Sequence, residues 1–489
     1  MIKNLSTLLL TLLFVSFISA QSITEALYDS YENYKEVSLD SRRIKHHQLQ
    51  PLINNFRANP KFVVQKVGES IEGRDLSLIS LGSGKTNIFL WSQMHGDEPT
   101  ATQAIFDLLN FFNSNDFKTE KEEILDNLTL HFLPMLNPDG AEVFTRRNAL
   151  GVDINRDALR LQSPESRVLK RVRDSLDAAF GFNLHDQSTY YNAERTEKPA
   201  SISYLATAYN YEKDINEVRA NAMKVIVFMN DIIQKYAPGQ VGRYNDAFEP
   251  RAFGDNIAKW GTSLILIESG GYPNDTEKQE IRKLNYVSIL SALYTIAKES
   301  YVDIPIEDYE KIPRNDRNLF DLKIENVTYD LEGKSFILDL GILRQEIDLE
   351  EHNEYYYKSI IEDQGDLSTY YGYQTFDASG YNIVAPKVAE RGKVNLDSNN
   401  LTSLLKDGIG YLTVDFSKYK TSKIVNGLPF NLWPKGRNLG VFKLKPYVNP
   451  TFFLEKDGEI THAVINGFLI DLNEPLENQK FGNALIYRD

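Results

Sequence analysis

Two hydrophobic periods alternate along the first part of the chain. Phe62 to Val67 and Leu76 to Leu81 alternate apolar and polar positions around Gly68-Glu69-Ser70-Ile71-Glu72-Gly73, which predicts two strands and a turn. Ile88 to Trp91, Leu128 to Met135, Ala178 to Leu184 and Ser263 to Ile267 are near-continuous apolar runs, the pattern of strands covered on both faces. Between them the spacing becomes helical, over Pro99 to Phe112, Pro164 to Asp177, Ile215 to Tyr236 and Thr276 to Lys298. Strand and helix alternating in this way predict an α/β fold, a mixed and mostly parallel sheet between helices, spanning about 62–299. Ser22 to Val37 predicts an amphipathic helix ahead of it.

The pattern changes after residue 300. Tyr301 to Arg317 carries Pro305, Pro313 and several acids without apolar periodicity, which suits a linker. Asn318 to Asp489 has only short apolar runs, at Phe336 to Ile342, Ile409 to Val414, Val441 to Leu444 and Ala463 to Ile470, punctuated by Gly, Asn and Pro. A smaller β-rich domain is expected over 318–489. The N-terminal twenty residues read as a secretory signal: Lys3, the apolar stretch Leu8 to Ile18, then Ser19-Ala20 as a small-residue cleavage edge. The organisation expected is therefore a signal peptide at 1–20, a catalytic domain at 21–300, a linker at 301–317 and a β-rich accessory domain at 318–489.

Composition narrows the function classes. The formal charge of −14 and pI near 5.2 argue against a nucleic-acid or anionic-membrane partner. The chain has no cysteine, which removes disulfides, thiolate metal ligands and a thiol nucleophile. Its 27 Tyr and 26 Phe supply the bulk for a large ordered interior. A secreted or periplasmic protein follows, with no stable membrane association once the signal is cleaved; the oligomeric state is left open.

Candidate chemistry begins at His95-Gly96-Asp97-Glu98, directly after the run Ile88-Phe89-Leu90-Trp91. An imidazole and a carboxylate three residues apart at a strand's end have metal-ligand spacing, and a catalytic zinc takes three protein ligands, leaving a fourth position open. His185 ends another apolar run and is the natural third ligand, since open α/β sheets place their sites at the carboxyl ends of strands. Glu268 closes Leu264-Ile265-Leu266-Ile267, where partial desolvation raises a carboxyl pKa and favours base chemistry.

Asn137-Pro138-Asp139-Gly140, then Thr145-Arg146-Arg147-Asn148, then Gly151-Val152-Asp153-Ile154-Asn155-Arg156 accompany that pair. Together with His95 and Glu98 these motifs resemble the zinc metallocarboxypeptidase superfamily, the carboxypeptidase A-like peptidases, over about 62–299. The resemblance implies one Zn2+ per chain held by His95, Glu98 and His185, with Asp153 behind the first histidine as its hydrogen-bond acceptor. It implies Glu268 as general base, Asn155 and Arg156 as the pair that holds a substrate's terminal carboxylate, and Arg146 as the arginine that polarises the scissile carbonyl, with Arg147 the fallback. The family's mobile tyrosine has its nearest counterpart in Tyr244.

Departures bear on the substrate. Asp157 follows Arg156 where the family usually has Asn, so an acid is expected beside the clamp, and basic or amide-containing substrates are favoured. Asp255 and Arg251 either line the specificity pocket or form a loop ion pair. The spacing from Glu98 to His185 is 87 residues, shorter than in the digestive carboxypeptidases and closer to the deacylase branch. The expectation is a secreted zinc metallocarboxypeptidase acting on peptide or protein substrates. Its alternatives are an N-acyl amino acid deacylase or cell-wall peptide amidase, or a binding module without turnover. His131 is expected in the core, and His46, His47, His352 and His462 lack ligand spacing.

Overall fold

The computed structural model describes residues 24–393, 398–415, 424–425 and 427–487; the signal expected at 1–20 lies outside them. Two compact units divide the chain, with the boundary between Arg317 and Asn318.

The first unit is built on an eight-stranded mixed sheet. Its strands are β1 (Val63–Glu69), β2 (Asp75–Gly82), β3 (Thr86–Ser92), β4 (Leu128–Leu133), β5 (Phe180–Asp186), β6 (Ile202–Ala206), β7 (Val241–Arg243) and β8 (Ser263–Ser269). Their order is β1-β2-β4-β3-β5-β8-β6-β7. The central strands β4, β3, β5 and β8 run parallel, β1 and β2 pair antiparallel to their neighbours, and β6 pairs antiparallel to β8 and parallel to β7. The α/β sheet between helices is therefore as the apolar runs predicted. The pleat explains why those runs are unbroken: Ile88 and Leu90 enter one buried layer, and Phe89 and Trp91 the opposite one. Helices α1 (Thr100–Asn113), α2 (Pro164–Leu176), α3 (Glu217–Ile233) and α4 (Gln279–Ala297) follow the predicted stretches closely.

The differences have identifiable causes. Among the described residues of the helix expected at Ser22 to Val37, 24–29 are helical; a 3-10 turn at Tyr31–Asn33 ends it, because Tyr31, Glu36 and Leu39 bond a buried pair, Asp107 and Arg282. Residues 301–317 are not a linker. They include a 3-10 helix, Ile306–Lys311, whose Tyr309 is 1% exposed and accepts a hydrogen bond from the amide of Ala206. The prolines and acids there mark a tight surface turn around one buried ring.

The second unit is β-rich, with an eight-stranded sheet and a three-stranded one. A long meander, Leu319–Leu331, Lys334–Asp348 and Tyr355–Gly365, forms one side, and Phe452–Lys456, Glu459–Ile465 and Phe468–Asp471 the other. Three hairpins close through Glu332-Gly333, Asp457-Gly458 and Asn466-Gly467, and both residues of each turn have positive φ. That is the two-residue geometry matched to strand twist. The apolar run Val441 to Leu444 is irregular: Leu444 packs inward while Val441 is exposed.

Candidate active site

The sheet delivers the site at the carboxyl ends of β3, β5 and β8. After β3 the chain turns at Gln93 in left-handed conformation, and its amide side chain donates to the carbonyl of Gly96 at 2.9 Å. Gly96 lies against the turn of Asn137-Pro138-Asp139-Gly140, where a Cβ would meet the Gly140 carbonyl carbon at 2.0 Å. Only glycine permits that approach, so it joins the two motifs in space.

His95, Glu98 and His185 converge. His95 Nδ1 and His185 Nδ1 lie 2.8 and 2.6 Å from the two oxygens of Glu98 and 3.2 Å from each other. All three residues are buried. Two imidazole nitrogens and a carboxylate aimed at one point are the donor set of a zinc site, and a divalent cation suits a cluster in which two ring nitrogens otherwise face each other. His95 Nε2 sits 3.2 Å from Asp153 Oδ1, and that contact fixes the tautomer that leaves Nδ1 free as a ligand. Burial works against a charge on Asp153, yet the bonds from His95 and Arg146 hold its carboxyl well below the usual range.

The segment 137–157 is folded around these groups. Asn137 caps the short helix Pro138–Glu142 through Gly140 N at 3.0 Å, and its Nδ2 donates to the Arg146 carbonyl at 3.2 Å. Arg146 donates from Nε to Asp153 Oδ2 at 2.9 Å and places Nη1 3.0 Å from His95 Nδ1. Arg147 is exposed and donates to the Gly151 carbonyl at 3.0 Å, closing its own turn away from the histidines. Of the two adjacent arginines, only Arg146 therefore reaches the cluster. Asn155 accepts from the Phe253 amide at 2.9 Å, and Arg156 donates to the Asn155 carbonyl at 2.7 Å.

Asp157 corrects an expectation. Its carboxylate caps the amides of Gln162 and Ser163 at 2.9 and 2.8 Å, so it supports the start of α2 and is not beside the clamp. The acid that faces Arg156 is Glu249, 3.7 Å from its Nε and bonded also to Arg251 at 3.0 Å. Arg251 is thus in a loop ion pair. Asp255 accepts from the Glu249 amide at 2.6 Å, and burial pushes its carboxyl up to about 7.

Glu268 lies in register beside His185, on the neighbouring parallel strand, and is buried. Burial, followed by the charge of Glu98, raises its pKa well above the ordinary value. Burial, followed by the charge of Glu268, raises the Tyr244 phenol; its ring packs edge-on to Tyr191 at 6.1 Å. His131 is a core residue on β4, 2.8 Å from Ser80 Oγ and 3.1 Å from Asn87 Oδ1. His95, Glu98 and His185 form the one metal-capable group among the described residues.

The sequence reading missed Glu249, Asp186, Thr100 and Lys278. Lys278 is buried on Asp186 at 3.0 Å, beside the ligand cluster. The signal available was Asp186 itself, an acid directly following a predicted ligand.

Residues 50–220 match the family described as Zinc carboxypeptidase. This part of the first unit is therefore similar to the zinc carboxypeptidases, and the match includes His95, Glu98, Arg146, Asp153 and His185 but stops short of Tyr244 and Glu268. Among similar proteins, Carboxypeptidase SOL1 of Arabidopsis thaliana is 27% identical over 170 residues, 31% of this chain and 35% of that one. Carboxypeptidase B of Astacus astacus is 32% identical over 197 residues, 39% of this chain and 54% of that one. The chain thus spans about a third to a half of the length of these relatives. A metallo-carboxypeptidase structure from Burkholderia cenocepacia aligns with a TM-score of 0.43 at 16% identity, covering 52% of this chain and 69% of that one.

Proposed function

We propose that this protein is an exported, zinc-dependent metallocarboxypeptidase that removes C-terminal residues from peptides. The observation that carries the reading is the convergence of His95, Glu98 and His185 with Glu268 in register beside them. The bound metal would polarise the scissile carbonyl and make water acidic. The remaining steps belong to side chains. Asn155 and Arg156 hold the substrate's terminal carboxylate through a planar donor fork. Arg146 donates to the carbonyl oxygen as negative charge develops there. Glu268, its pKa raised by burial, takes a proton from the attacking water and returns it to the leaving amine. Tyr244, whose phenol feels the charge of Glu268, would close over the substrate's end. The apolar stretch Leu8 to Ile18 supports export.

The second reading keeps the chemistry and changes the substrate. The 87-residue interval from Glu98 to His185 favours an N-acyl amino acid deacylase or peptide amidase. Product analysis on blocked peptides and on acyl amino acids separates the two.

The test is hydrolysis of peptides with and without a chelator, repeated with Glu268→Gln. Activity is expected to vanish with chelator, return with zinc, and fall about 10²- to 10⁴-fold in the variant. A binding module would hold zinc and release no amino acid. Activity unchanged by Glu268→Gln would overturn the base assignment.

A further inference from the structure

We propose that the buried pair Lys278–Asp186 is a positioning node that holds the segments bearing His185, Glu268 and Glu98 in one geometry, and so sets metal affinity and turnover together. The inference rests on the metallopeptidase reading above.

The connections are direct. His185 and Glu268 are cross-strand neighbours, as are the next residues, Asp186 and Ser269. Lys278 Nζ donates to Asp186 Oδ2 at 3.0 Å and to the Ser269 carbonyl at 2.9 Å, so one ammonium ties the ends of both strands. Thr100, two residues after Glu98, donates its hydroxyl to the same Asp186 oxygen at 2.6 Å. The Asp186 amide in turn donates to Glu98 Oε2 at 3.2 Å. The Gln187 amide adds a bond to the Ser269 carbonyl at 3.0 Å. Three separate segments therefore meet at one carboxylate and one ammonium.

The pair is costly as a source of stability. Both side chains are nearly closed to solvent, at 6% and 7% exposure, and a buried ion pair often contributes less than packed hydrophobic groups of the same volume. Its effect lies in precision instead. Lys278 reaches the pair from a left-handed residue at the head of α4, anchored by its amide on the Asp275 carbonyl at 3.1 Å. An apolar side chain at 278 would fill the space and leave both strand ends free to drift. A displacement near 1 Å at a catalytic group costs about 10² in rate, and loss of an outer contact to metal ligands costs about 10- to 100-fold in affinity.

The test uses the full chain as wild type, Lys278→Met, Lys278→Arg and Asp186→Asn. Zinc affinity of the stripped protein is measured by competition with a chromophoric chelator, peptide hydrolysis by steady-state kinetics, and folding by thermal unfolding. Lys278→Met is expected to weaken zinc binding about 10- to 100-fold and to lower kcat about 10²-fold, with KM nearly unchanged. Lys278→Arg, which keeps a cation, should recover part of both. If Lys278→Met does not fold, Asp186→Asn carries the same expectations. A folded variant with wild-type zinc affinity and wild-type kcat overturns the proposal, whatever its melting temperature. Should the wild type bind zinc yet hydrolyse no peptide, the functional reading fails while the affinity comparison still decides the node.

Discussion

Arg146 and Arg147 are adjacent in sequence and differ entirely in what they touch. Arg146 sits on Asp153 and His95, whereas Arg147 closes a turn on the Gly151 carbonyl. Arg146→Ala is therefore expected to reduce kcat/KM on a C-terminal peptide about 10²- to 10³-fold, the range for one lost oxyanion donor. Arg147→Ala should change it less than about threefold, within the small effects of most surface substitutions, and steady-state kinetics on the two variants checks the pair. Asp255 gives a pH dependence of predictable sign. Burial raises its carboxyl to about 7, with the Glu249 amide and Arg156 lowering it, the Glu249 charge raising it and Arg219 lowering it. It is neutral below that pH and adds a negative charge near Arg156 above it. KM for substrates with a free C-terminal carboxylate is expected to rise from pH 6 to pH 8, and Asp255→Asn should flatten that rise. A profile that is the same in both proteins would remove Asp255 from the clamp's electrostatics.

At the scale of elements, what was legible in the sequence followed burial. β3, β5 and β8 are covered on both faces, so their apolar runs stand out, and the candidate ligands and base lie just beyond or at their ends. β6 was not legible, because Ser201 and Ser203 break the apolar run where they bond Gln240 and Asn315, and β7 is only the three residues Val241–Arg243. Glu249 and Lys278 were invisible for a related reason: their partners, Arg156 and Asp186, are 93 and 92 positions away in the chain, and no local period encodes such pairs. The same holds for Asp107 on α1 and Arg282 on α4, both fully buried and bonded at 2.7 Å through Nε. Asp107 also accepts from Tyr31 at 3.0 Å and from the Glu36 amide at 2.7 Å, so one carboxylate anchors the segment 31–39 across two helices. Asp107→Ala strands the arginine and is expected to cost about 3–5 kcal/mol. The double variant Asp107→Leu with Arg282→Met should recover most of that loss. Urea unfolding of the three proteins measures it, and equal destabilisation by the single and double changes would refute the account.

For the molecule as a whole, every side chain assigned a role lies before the boundary at Arg317, and the two units carry separate hydrophobic clusters. In the second unit one cluster gathers Leu322, Ile324, Leu340 and Phe452, and another Leu405, Leu412, Phe430 and Ile465. Its three two-residue hairpins fix strand register locally, which removes the need for a template from outside. We propose the boundary at 317/318 as a folding boundary. Residues 318–489 alone are expected to give a strand-rich circular-dichroism spectrum and one cooperative thermal transition, because a chain of that size buries enough surface for an independent core. Residues 21–317 alone should bind zinc and keep kcat on a short peptide within about threefold of the full chain, since deletion of a remote unit leaves chemistry to the residues that touch substrate. A fragment 21–317 that folds, binds zinc and has lost turnover would show instead that turnover depends on residues 318–489.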